Sequence, residues 1–68
     1  MGTRVNCELI YDEILIDRPH LQAIQYKFGD EKVWVPRSQI LAEDLVKQTI
    51  ELPEWLVISK GLEAYILD

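Results

Sequence analysis

"IQYKFGDEKVWVP", residues 24–36, sets two alternating stretches on either side of a turn, and the fold follows from how they pair. Ile24, Tyr26 and Phe28 alternate with Gln25 and Lys27, and Val33 and Val35 flank Trp34. A period of two is the mark of half-buried strands, because successive side chains point to opposite faces. With "GDEK" between them, residues 21–36 read as a β-hairpin. Its loop has two or four residues: either length sets Ile24 and Tyr26 beside Val33 and Val35, whereas three residues would oppose Tyr26 to Trp34. The four-residue loop is favoured, since it keeps Lys27 from lying opposite Lys32, where like charges on paired strands are destabilising. In that register Lys27 faces Trp34 on the outer surface, a cation–π contact of roughly 0.5–1 kcal/mol.

Upstream of the hairpin, Val5, Cys7 and Leu9 share one face of a first strand, with Asn6 and Glu8 on the other. Beyond Tyr11 the parity changes, and Ile10, Ile14 and Ile16 share a face, so a bulge or sharp bend is expected at residues 11–13. "DRPH", 17–20, is a turn, because proline fixes its own φ and bars the helical region to Arg18. Pro36 ends the hairpin and starts a short 3₁₀ or α turn through "PRSQIL", with Ile40 or Leu41 returning to the core and Arg37, Ser38 and Gln39 projecting. "AEDL", 42–45, reads as a polar connection. Residues 46–52 read as a strand with Val46, Gln48, Ile50 and Leu52 inward.

Pro53 at the first helical position, Glu54 in the first turn and Gly61 past the end bound a helix over 53–60. A left-handed Gly61 would return Leu62 to Val57 in a Schellman ending. Trp55, Ile58 and Leu62 form the stripe expected to face the core. "LEAYIL" adds a short final strand. The fold class is mainly β with one short C-terminal helix: a small, strongly bent antiparallel sheet or SH3/OB-like half-barrel.

At 68 residues the chain is one small domain, 1–68, and buries only about 60% of its unfolded surface. With 49% hydrophobic and 28% charged residues it lies in the globular range. A single cysteine, Cys7, allows no internal disulfide, and no Cys/His cluster exists for a structural zinc. Regular packing or self-association is the expected substitute. The net charge of −5, with basic residues scattered along the chain, argues against broad phosphate-backbone binding. No apolar run reaches the ~20 residues of a membrane span and the N-terminus lacks a signal-peptide pattern, so the expected compartment is the cytoplasm.

"VWVPRSQI" (33–40) and "PEWLVISKGL" (53–62) together resemble the signature of short uncharacterised bacterial and phage proteins that carry W-V/I-P-R/K-S-Q-I and later P-E-W-L with K-G-L. The resemblance covers about residues 24–62 and leaves the stretch to Pro19 outside. It implies a stand-alone domain of bacterial or phage origin, with the motifs at a strand-to-turn and a strand-to-helix junction.

Catalysis is not expected. The lone His20 sits in a turn, Ser38 has no base at triad-like spacing, and neighbouring carboxylates such as Asp12 and Glu13 point apart along a strand. The three glycines form no phosphate cradle, and no cofactor or metal is expected. Alternation sends Trp34 outward, either as a binding anchor or, by preference, under the C-terminal helix or a second molecule. The expected function is a non-catalytic protein-interaction module or small homo-oligomer, with Trp34, Arg37, Gln39 and Lys27 as contact residues. The alternatives are an acidic inhibitor of a host nucleic-acid machine, or single-stranded nucleic-acid binding with Trp34, Tyr26 and Phe28 stacking on bases and Lys27 and Arg37 as the cations.

Overall fold

The computed structural model describes residues 6–67. Seven strands follow in chain order: β1 (Asn6–Ile10), β2 (Glu13–Ile16), β3 (Ala23–Phe28), β4 (Glu31–Pro36), β5 (Ala42–Asp44), β6 (Thr49–Pro53) and β7 (Ile66–Leu67). One helix, α1 (Glu54–Ser59), precedes β7, and 3₁₀ turns occupy Arg37–Gln39 and Glu63–Tyr65. The chain is mainly β, as expected, and its strands divide into two antiparallel sheets. One has the order β5-β6-β1-β7 and the other is the meander β2-β3-β4.

The division happens at the parity change. β1 leaves the four-stranded sheet at Ile10, and after two residues the chain re-enters as an edge of the three-stranded one. Tyr11 N–H donates to the Gln48 carbonyl at 3.0 Å, and Asp12 N–H donates to the Lys27 carbonyl at 2.8 Å. The bend therefore satisfies one sheet's backbone with its first residue and the other sheet's with its second. Tyr11 is buried at this point, whereas Ile10 is exposed and does not share the half-buried environment of Ile14 and Ile16. A further irregularity between Ile14 and Ile16 twists β2 along β3.

The β3–β4 hairpin has the two-residue turn, not the favoured four-residue loop. Phe28 pairs with Glu31 and Lys27 lies opposite Lys32, so Trp34 faces Gln25 instead of Lys27. Gly29, with φ at +59°, supplies the positive φ that a II′ turn requires of its first central residue. That turn matches the twist of the strands, which outweighs the few tenths of a kcal/mol from the opposed lysines. Gly29 also admits the Tyr65 ring, whose hydroxyl would lie 2.8 Å from a Cβ placed there.

"AEDL" is not merely a connection: Ala42–Asp44 forms β5, paired with β6. Val46 and Gln48 are consequently not inward strand residues, since 45–48 is the turn of that hairpin and Val46 is 94% exposed. Asp44 explains the turn. Its Oδ1 accepts the amides of Val46 and Lys47, each at 3.0 Å, and this local capture competes with strand continuation. Gln48 takes the left-handed conformation at φ +58° and donates its side-chain amide to the Asp12 carbonyl.

Pro53 closes β6 with extended backbone and caps α1 instead of starting it. The helix ends as expected: Gly61 has φ +68°, its N–H donates to the Ile58 carbonyl and the Leu62 N–H to that of Val57, a Schellman motif. Leu56, Val57 and Leu62 are the buried residues of this segment, so the Trp55–Ile58 stripe points outward, Trp55 being 59% exposed. Periodicity identifies a face on a six-residue helix but not its direction.

The inner faces of both sheets meet in one core built from Cys7, Leu9, Ile50 and Leu52 of one sheet and Ile24, Tyr26, Phe28 and Val35 of the other. Val5, expected beside Cys7, lies outside the described residues. Tyr11, Tyr26, Phe28 and Tyr65 form an aromatic chain with successive ring centroids 4.9, 6.0 and 5.5 Å apart. The Tyr26 hydroxyl is fully buried within it and has no hydrogen-bond partner. Burial, reinforced by Glu43, pushes its pKa from 10.0 up to about 12.

The folded chain thus holds the Tyr26 proton to higher pH than the unfolded chain does. This contribution to stability is intact below pH 10 and is lost as pH rises towards about 12. Tyr26→Phe removes both the titration and the unpaired hydroxyl. In urea unfolding it should gain about 1 kcal/mol at neutral pH and lose less stability than wild type between pH 10 and 12. Equal losses in the two proteins would show that Tyr26 is not the group responsible.

Candidate functional site

The outer face of the β2-β3-β4 sheet holds two of the four expected contact residues. One cross-strand row sets Ile16 against Gln25 and Gln25 against Trp34; the next sets Glu13 against Lys27 and Lys27 against Lys32. Alternation along β3 and β4, and the register shift between Ile14 and Ile16 on β2, put these on the side away from Ile14, Tyr26 and Val33, which pack into the core. Lys27 is thereby a diagonal neighbour of Trp34. Trp34 is 42% exposed, and the packing of α1 is against β1 and β6 of the other sheet, so the helix does not cover the indole.

Arg37 and Gln39 do not join this face. The expectation that they project from the corner is corrected: both are half-buried, and Arg37 is a tether. Its Nε donates to the Leu21 carbonyl at 2.7 Å, and its Nη2 donates to Asp17 Oδ1 at 2.7 Å and to the Arg18 carbonyl at 2.6 Å. The Arg37 amide meets the Gln22 carbonyl as well. One side chain therefore gathers the 17–21 turn onto the end of β4, using the fork that suits guanidinium to several acceptors in one plane. Spacing alone could not reveal this, because the acceptors are mostly backbone carbonyls of a turn remote in sequence.

A groove of about 540 Å³ runs between that turn and the strand end, lined by Pro19, His20, Leu21, Pro36, Arg37 and Ser38. It brings His20 and Ser38 to one rim, although no hydrogen bond joins them. No group of three or more His, Cys, Asp or Glu side chains able to hold a metal ion occurs among the described residues. The stacking platform of the nucleic-acid alternative is also lost, since Tyr26 and Phe28 are wholly inside the core.

The opposite side of the molecule carries a second set that linear reading leaves apart. Glu8 of β1 lies directly across from Glu51 of β6, with Ala42 and Leu67 continuing the row on either side. Glu43 and Asp44 edge the same region, a depression of about 240 Å³ that also includes Thr49. Sequence parity points Glu8 outward, but only the β1–β6 pairing places Glu51 beside it. The chain matches no protein-family model, no curated protein and no solved structure.

If Arg37 is a tether, Arg37→Ala should lower unfolding stability by about 1–3 kcal/mol through the lost charged hydrogen bonds. Asp17→Asn removes only the exposed ion pair and should change it by less than about 1 kcal/mol. Equal effects in chemical denaturation would contradict the division of labour between the carbonyl and carboxylate contacts.

Proposed function

We propose that the chain is a non-catalytic protein-interaction module of the cytoplasm, of bacterial or phage origin, whose contact surface is the outer face of β2-β3-β4. The observation that carries this reading is Trp34, 42% exposed on a sheet face that α1 leaves uncovered. An indole offers a large rigid area for burial at little entropic expense, and tryptophan is over-represented among residues that dominate binding energy. Ile16 and Gln25 extend the row beside it, and the aliphatic stems of Lys27 and Lys32 add area while their ammonium groups select the partner's charge. Origin rests on the resemblance carried by the "VWVPRSQI" and "PEWL" motifs. The cytoplasm suits a single buried free cysteine, and no helix among the described residues is long and apolar enough to cross a membrane.

The two exposed tryptophans give an internal control. Trp34→Ala should leave the far-UV circular dichroism spectrum intact, change stability by about 0.5 kcal/mol or less, and weaken association by roughly 30-fold or more. Trp55→Ala should leave association unchanged. Light scattering of the eluting species and retention of a purified partner report the binding. Loss of folding in Trp34→Ala would make the indole a structural residue, and undiminished association would remove it from the contact surface.

A further inference from the structure

We infer that the partner of the Trp34 face is a second copy of this chain, docked head to tail through the outer face of the four-stranded sheet; the inference rests on the interaction reading above. Each sheet presents one like-charged pair at directly opposed positions of neighbouring strands: Lys27 with Lys32, and Glu8 with Glu51. Such pairs repel within the monomer. Their signs are opposite, and both pairs have the spacing that neighbouring antiparallel strands impose, so two lysines of one copy match two glutamates of the next.

The surroundings agree. Glu13 offsets one charge of the lysine row and leaves it net positive, while no lysine or arginine among the described residues registers on the Glu8–Glu51 face. Ile10 (44% exposed) lies two residues along β1 from Glu8, as Trp34 lies two residues along β4 from Lys32, and gives an indole apolar surface to rest on. The sheets share one core between their inner faces, so the two outer faces look away from each other. A face-to-face dimer through the glutamates would set carboxylate on carboxylate. Charge therefore selects a heterologous contact, which extends to rings or open chains and does not stop at a dimer.

The contact is small. Two strands of six residues and one of four, about 4.8 Å apart at about 3.3 Å per residue, present roughly 250 Å², against the ~800 Å² per partner of a stable complex. Association is accordingly weak, best seen at low salt and at several hundred micromolar.

Sedimentation velocity of the full chain should show an average mass that rises past the dimer with concentration and returns to the monomer in about 0.5 M salt. Lys27→Glu/Lys32→Glu reverses one face and Glu8→Lys/Glu51→Lys the other. Each double variant alone should associate at least about tenfold more weakly, and an equimolar mixture should regain wild-type association, because each meets its complement in the other. The milder Lys27→Gln/Lys32→Gln and Glu8→Gln/Glu51→Gln pairs, checked by circular dichroism, should weaken association without rescue on mixing. A wild type that stays monomeric throughout overturns self-docking, while Trp34-dependent retention of another purified protein would keep the interaction reading. Self-association lost in Trp34→Ala but not restored by mixing overturns the acidic face alone. Self-association indifferent to Trp34→Ala overturns both.

Discussion

Everything in this fold depends on the two residues between β1 and β2. At Tyr11 and Asp12 a single extended run leaves one sheet and enters the other, and each amide is claimed by a different sheet. A buried or half-buried backbone amide without a partner is expensive, so the bend is tolerated only where both donors are met. Gln48 meets the first with its carbonyl, and its side-chain amide reaches the Asp12 carbonyl. Its left-handed backbone is the local strain that makes this reach available. Tyr11, turned inward by the same bend, tilts against Tyr26 and begins the aromatic chain that ends at Tyr65.

The bend lets one extended run serve both sheets. With it, the two sheets close on a shared core and turn two chemically different faces outward. The lysine row and Trp34 belong to a meander of consecutive strands, and the glutamate pair belongs to strands from opposite ends of the chain. A net charge of −5 is therefore unevenly spread. The sequence total, which disfavours polyanion binding, conceals a locally basic surface on an acidic protein.

Much of this was legible in the amino-acid pattern, and the failures share a cause. Alternation in 5–9 and 24–35, proline and glycine punctuation around α1 and the parity change at 11–13 are local signals, and the elements they indicate are present. The fold class followed from them. What escaped is decided by turn geometry and hydrogen bonds that hydropathy does not report, some of them local and some between residues distant in the chain. The hairpin took a two-residue turn because backbone twist outweighed lysine repulsion; Asp44 folded 45–48 back on itself where hydropathy favoured a strand; and Arg37 found carbonyls that no spacing rule lists. Trp34 was placed outward by parity alone, whereas Trp55 was misplaced because a six-residue helix offers too little periodicity to orient it.

The two outer faces can be observed together in one experiment. Titrating unlabelled chain into dilute ¹⁵N-labelled chain at low salt should shift amide resonances of Gln25, Lys27, Lys32 and Trp34 and, in parallel and with the same apparent affinity, those of Glu8, Glu51 and Leu67. Core amides such as those of Leu9 and Tyr26 should move little. Shifts confined to the β2-β3-β4 face, or absent from both at several hundred micromolar, would contradict head-to-tail docking.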